Sequence, residues 1–389
     1  MVATTTGQTA TDMLAVAREL GPTIRSFADE AERMRQCPPA LVGILQESRL
    51  LDMMIPRAYG GLEDTIPTMV RVLEELAIHD ASVGWIVGIA NGTGVISASM
   101  PEATARALFT RGAVAGGAQA PYGRAIEVDG GYRVSGRWPF ASGCTHCTML
   151  VGGSLVMDGA APRVTNGMPE YRMAVFPIDD VEIIDTWHVA GLRGTGSRDM
   201  AVHDVFVPHD RMLSPGRDAL VVDSPTYRYP VLGYLALTIA PIPLGIARRA
   251  IDELVALAEG KTPMGIGSKL RERSLTQHEI ARAEAILRSA RAWLYEVMDE
   301  IWEKVLRDAE VTAKDRALVR MACAHAALES LRATEIAYTL GGGSAIYESN
   351  ALQRCMRDAH AATQHVMLAP TNYEPAGKAM LGLDLPPMV

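Results

Sequence analysis

The run Gly130-Gly131-Tyr132-Arg133-Val134-Ser135-Gly136-Arg137-Trp138-Pro139-Phe140-Ala141-Ser142-Gly143 opens after a turn and closes on small residues. Asp129-Gly130 is a two-residue hairpin signal, and Tyr132, Val134 and Trp138 suit a pleated, half-buried surface. Residues as small as Ala141, Ser142 and Gly143 let a backbone approach a planar ring, and the Ser142 hydroxyl both donates and accepts hydrogen bonds. Two readings stay open at this point: one wall of a site for a flat cofactor, or an ordinary hairpin in a β-domain. Cys144-Thr145-His146-Cys147 has the look of a metal or redox pair. A structural zinc site takes about four ligands, though, and no second Cys pair stands at finger-like spacing. No metal is expected, and the two cysteines are expected to pack within a strand. The loop Gly191-x-x-Gly194-x-Gly196 departs from the dinucleotide fingerprint G-x-G-x-x-G, and no helical pattern follows it, so Rossmann and Walker readings fail. By itself it reads as a tight turn between strands.

Three zones must position these residues. From Asp12 to about Arg111, apolar residues recur at three and four positions, as in Leu41, Ile44, Leu45 and again in Val70, Leu73, Leu76, Ala77, which predicts helices. Ten glycines fall between Gly112 and Gly153, and short alternating runs occupy Gly116 to about Val222, which predicts β-structure. Helical patterns then return over Pro241 to Leu257, Thr276 to Leu306, Ala313 to Leu340 and Leu352 to Met367, and four long helices with short links suggest a bundle. The expected domains are 1–115 (N-terminal helical), 116–222 (β) and 223–389 (C-terminal helical bundle).

Composition narrows the partners. The 389 residues carry a net charge of −8, with 48% hydrophobic and 21% charged residues, and no dense Lys/Arg cluster is interleaved with aromatics. Nucleic acid is therefore not an expected partner. The first residues lack the basic and apolar segments of a secretory signal, so the expected location is the cytoplasm. Five dispersed cysteines fit free thiols in a reducing compartment. The apolar stretch Val231 to Ala247 contains Pro241 and Pro243 and is shorter than the ~20 residues of a membrane helix, so a buried helix is expected and no membrane association.

The order of helical domain, small β-domain and four-helix bundle resembles the acyl-CoA dehydrogenase superfamily over nearly the whole chain. The resemblance is carried by the Gly136–Gly143 run, by Trp187-His188-Val189-Ala190-Gly191-Leu192-Arg193-Gly194-Thr195-Gly196-Ser197 leading into Val205-Phe206-Val207-Pro208, by Gly341-Gly342-Gly343, and by Arg354-Cys355-Met356-Arg357-Asp358. It implies a mainly α fold with a central small β-barrel domain, a flavin between that domain and the bundle, and a homotetramer. It also implies that Trp138, Phe140, Ala141 and Ser142 line the flavin, with Ser142 near N5. Trp187, Arg193, Thr195 and Ser197 would lie beside them, and Gly342 and Gly343 would belong to the same site. Lys261 or Arg271 would meet the flavin phosphates of a neighbouring subunit, and the choice between FAD and FMN stays open.

Acyl-thioester dehydrogenation needs a carboxylate to take an α-proton, and the resemblance offers two places for one. Ser224 through Ile251 contains no Asp or Glu, and neither does the segment between Asp358 and Glu374. His365 stands near the expected base, with His360 and Gln364 close by. This pattern is similar to the branch of oxygenase components of two-component flavin monooxygenases, including phenol, 4-hydroxyphenylacetate and steroid-ring hydroxylases. That likeness implies reduced flavin delivered by a separate NAD(P)H-flavin reductase, molecular oxygen as co-substrate, and a C4a-hydroperoxide that hydroxylates an aromatic or other electron-rich small molecule. Ser142 would guard N5, and His365, ordinarily titrating near ~6.5, would accept a phenolic proton or manage the peroxide proton. Trp85, Asn91 and His360 are the expected substrate contacts, Asn91 replacing the histidine that related hydroxylases carry. The alternatives are an acyl-CoA dehydrogenase with an unusual base, an amino-sugar N-hydroxylase and a non-catalytic flavin-binding subunit.

Overall fold

The computed structural model describes residues 12–265 and 267–385, and among these six α-helices precede the first strand. They are α1 (Met13–Ser26), α2 (Ala28–Met34), α3 (Pro39–Glu47), α4 (Ile66–His79), α5 (Ala81–Gly94) and α6 (Glu102–Leu108). Short polar side chains start the important ones: Thr65 accepts from the Thr68 amide at the head of α4, and Asp80 from the Val83 amide at the head of α5. Met69, Val70, Leu73, Leu76 and Ala77 form the buried stripe of α4. Helix α5 is buried almost all round, so Trp85 is held by packing on every side.

The central zone contains β1 (Ala115–Val128), β2 (Gly131–Ala141), β3 (Met149–Asp158), β4 (Ala161–Pro162), β5 (Val164–Thr165), β6 (Met168–Pro169), β7 (Tyr171–Pro177), β8 (Glu182–Ile184), β9 (Arg198–Pro208) and β10 (Met212–Leu213). The main sheet runs β10-β7-β3-β1-β2-β9-β8, with β4 on β3 and a separate β5–β6 ribbon. Strands β1 and β3 pair parallel and the other neighbours antiparallel, giving a mixed sheet. No pair among the described residues joins β10 to β8. The Asp129-Gly130 signal is realised: Val128 pairs with Gly131 across the turn, and Gly130 takes φ 77°.

The C-terminal zone comprises α7 (Pro225–Arg228), α8 (Val231–Leu237), α9 (Pro241–Gly260), α10 (Ser274–Leu306), α11 (Ala313–Gly341), α12 (Ala351–Ala362) and α13 (Tyr373–Met380). Pro241 sits in the first turn of α9, where a missing N–H costs nothing, and Val231–Ala247 is consequently two helices rather than one. The longer segment Val231–Gly260 and Ala81–Ser99 both pass for membrane spans by length and composition alone, yet both are mostly buried inside the protein. The expected helix Leu352–Met367 stops at Ala362, and the chain turns at Thr363. Glu74 of α4 accepts from Arg291 (2.7 Å) and from the Tyr295 hydroxyl of α10, tying the two helical zones together.

Candidate active site

Ser142 follows the last residue of β2 and is 5% exposed. Its Oγ accepts from Trp85 Nε1 of α5 (3.2 Å) and shares a hydrogen with Ser197 Oγ (2.6 Å). Ser197 in turn bonds Thr195 Oγ1 (2.7 Å), which donates to the Leu192 carbonyl (2.8 Å). An indole and three buried hydroxyls thus form one continuous chain from the helical domain through β2 to the glycine-rich loop. Ala141, fully buried, anchors the strand end just before it.

His365 closes the other side of Trp85, with ring centroids 5.7 Å apart in an edge-on arrangement. It lies outside α12, capping the short turn Val366–Leu368, and its Nδ1 accepts the Met367 amide (3.2 Å). The neutral ring therefore carries its hydrogen on Nε2. Burial pushes its pKa down to about 4. Both facts revise the expected chemistry: at neutral pH His365 is an uncharged donor, and the nitrogen that could take a proton is already filled. Among the described residues, no carboxylate bonds to Trp85, Ser142, Thr195, Ser197 or His365.

The carboxylate from the family-like Arg-Asp pair is aimed elsewhere. Asp358 is buried on α12 and accepts the Leu192 amide (2.6 Å), and burial pushes its pKa up to about 7. The neighbouring Arg357 donates to the Ala190 carbonyl and pairs with Glu32 (2.7 Å). Gly191 lies directly against the Arg357 carbonyl, where a Cβ would collide. Arg193 donates to the Glu32 carbonyl (3.1 Å) and to the Val189 carbonyl (3.2 Å), fastening the loop to α2. The sequence marks Arg357-Asp358 only as a likeness; its work as a clamp on residues 190–192 goes unseen there.

The remaining candidates divide. Phe140 is 67% exposed at φ 65°, with Trp187 edge-on at 6.2 Å, so this corner offers an aromatic face to a ligand. Trp138 points the other way: it is fully buried beside Phe176 and donates to the Gly153 carbonyl (2.7 Å), so it supports the sheet rather than lining a ligand. Asn91 is 1% exposed and spends its amide inside the chain, accepting from the Met54 amide and donating to the Leu50 and Val87 carbonyls, which leaves no group for a substrate. His360 is exposed and faces Glu335 of α11 (3.4 Å) instead of the Trp85–Ser142 group. Lys261 Nζ donates to the Gly341 carbonyl (2.5 Å) beside Gly342, Gly343 has open space, and Arg271 is exposed on a turn after α9. Cys144 and Cys147 occupy the turn after β2, not a strand, and donate to the Gly196 and Gly143 carbonyls.

An exposed aromatic corner next to a chain of hydroxyls fits a flat heteroaromatic group with a hydrogen-bonding edge. Comparison with known proteins agrees with that geometry. Residues 12–109 match the family model described as acyl-CoA dehydrogenase, N-terminal domain, and residues 237–370 that of acyl-CoA dehydrogenase, C-terminal domain. The chain is 32% identical to an indole-3-acetate monooxygenase of Pseudomonas putida, over 92% of this chain and 90% of that one. It is 29% identical to the oxygenase component of an FADH2-dependent resorcinol hydroxylase of Rhizobium sp., over 92% and 91%. The solved 3-HSA hydroxylase from Rhodococcus sp. RHA1 superposes with a TM-score of 0.88 at 26% identity, covering 98% of this chain and 99% of that chain. The chain belongs to the acyl-CoA dehydrogenase family, on its branch of oxygenase components of two-component flavin monooxygenases.

Proposed function

We propose that this protein is the oxygenase component of a two-component system that uses reduced flavin and molecular oxygen to hydroxylate an aromatic or other electron-rich small molecule. The single observation that carries this reading is the uncharged character of the site: an Nε2–H donor, an indole and three hydroxyls make it up, and among the described residues no carboxylate bonds to them, whereas a desaturating enzyme needs one to take the α-proton. The aromatic substrates in the names of two relatives, an indole acid and resorcinol, support the substrate class. Reduced flavin, when bound, supplies the electrons that activate oxygen. Phe140 and Trp187 would hold its ring and Ser142 its polar edge, while the Arg357–Asp358 clamp keeps the 190–197 loop in register. The His365 Nε2–H would donate to an oxygen atom of the substrate or co-substrate, orienting it without removing a proton.

A separate NAD(P)H-flavin reductase is proposed as the partner, and a homotetramer as the assembly. The division into 1–115, 116–222 and 223–389 goes with this reading: the mixed sheet acts as a barrel-like small domain and α9 to α12 as a four-helix bundle. Five buried cysteines without a disulfide support a reducing compartment such as the cytoplasm. The test supplies a flavin reductase, NAD(P)H, air and a panel of indoles and phenols, and in parallel an anaerobic panel of acyl-CoA thioesters with oxidised flavin. Hydroxylated product from the first and no flavin reduction in the second are expected. Flavin bleaching by an acyl-CoA would overturn the reading.

A further inference from the structure

We propose that Thr195 and Ser197 hold the Ser142 hydroxyl as a hydrogen-bond acceptor, so that the site prefers the reduced flavin, which carries an N–H at its central ring, over the oxidised flavin, which carries a bare nitrogen there. The proposal rests on the flavin reading above and assigns it a redox-selecting device. Each hydroxyl has one hydrogen to give. The Trp85 N–H can only donate, so one lone pair of Ser142 is always filled from that side. The three hydroxyls can then point in either of two concerted directions. In the first, Ser142 donates to Ser197, Ser197 to Thr195, and Thr195 to the Leu192 carbonyl at 2.8 Å. Ser142 is left with a free lone pair and no free hydrogen, a match for a flavin N–H. In the second, Thr195 donates to Ser197 and Ser197 to Ser142, and Ser142 points its hydrogen outward, a match for a bare ring nitrogen.

The directions differ by the Thr195–Leu192 bond, which only the first makes. Oxidised flavin gains a bond to Ser142 at the loss of one Thr195 bond, to Leu192 or to Ser197, whereas reduced flavin keeps them all. Water cannot easily make up the difference, because Ser142, Thr195 and Ser197 are 5%, 1% and 3% exposed. One net hydrogen bond between buried neutral groups corresponds to roughly a two- to tenfold preference.

The test measures dissociation constants of the full chain for oxidised flavin in air and for dithionite-reduced flavin under argon, and takes their ratio. The unsubstituted protein is expected to bind the reduced form more tightly. Thr195→Val and Ser197→Ala are each expected to lower the ratio by roughly two- to tenfold, and Thr195→Ser to preserve it. A merely structural role would weaken both forms by the same factor, and an unchanged ratio in both variants overturns the proposal while leaving the flavin reading intact. If the unsubstituted protein binds neither form, the flavin reading falls and this proposal with it.

Discussion

An imidazole whose Nδ1 is filled by the Met367 amide can act outward only through Nε2, and burial keeps it neutral. Replacing His365 by Leu, which cannot donate, is expected to lower kcat by about a hundredfold or more, whereas Gln, which can, should retain more of it; steady-state rates of product formation decide, and equal losses would remove the donor role. The lowered pKa also has a sign for stability. Unfolded, the ring takes its proton near 6.5; folded, near 4. The stability contributed by keeping it neutral is therefore complete above about pH 6.5 and is lost as pH falls towards 4. Between pH 7 and pH 5 the protein is expected to lose about 1–2 kcal/mol through this group. Urea unfolding of His365→Gln should show a correspondingly shallower loss over that interval; parallel losses would contradict the assignment. The sequence places an imidazole here but not its tautomer, because the end of α12 at Ala362 and the return of the Met367 amide are properties of the turn.

The glycine-rich loop is fastened from outside by α12 and α2 as well as by bonds among its own residues. Asp358→Ala would leave the Leu192 amide buried without a partner, at a cost of about 1–3 kcal/mol. Asp358→Asn, whose side-chain oxygen still accepts, should cost less, as measured by denaturant midpoints. A second contrast separates the two aromatics of β2. Trp138→Phe removes the bond to the Gly153 carbonyl and is expected to cost about 1–3 kcal/mol of stability with little change in flavin affinity. Phe140→Ala, at a side chain 67% exposed, should leave stability nearly unchanged and weaken flavin binding. The reverse pattern would show that the strand faces the ligand differently. The hairpin at Asp129-Gly130 was legible because its signal is local. The opposite fates of Trp138 and Phe140 were not, since they depend on a break in the β2–β9 register between Trp138 and Ala141.

Over the whole molecule, periodicity suffices to read helices, then strands, then helices, because each element carries its own buried stripe. The site is assembled across much longer distances. Trp85 reaches Ser142 over 57 positions, Ser142 reaches Ser197 over 55, and Leu192 reaches Asp358 over 166. No local pattern encodes such pairs, so the sequence marks Ser142, Thr195, Ser197, Trp85 and His365 as separate candidates without the chain that joins most of them. Asn91, expected at the substrate, is a residue of α5 buried against the 50–54 segment, and the bonds of its side chain are all internal. What remains is an uncharged group of side chains contributed by all three zones together, and from it follows the claim that this chain activates oxygen instead of desaturating a thioester. Turnover of an indole or phenol under isotopically labelled oxygen, with flavin kept reduced by a separate reductase, tests that claim most directly: one labelled oxygen atom in the product is the expected result, and a product whose added oxygen comes from water, or a desaturated product with no added oxygen, would contradict it.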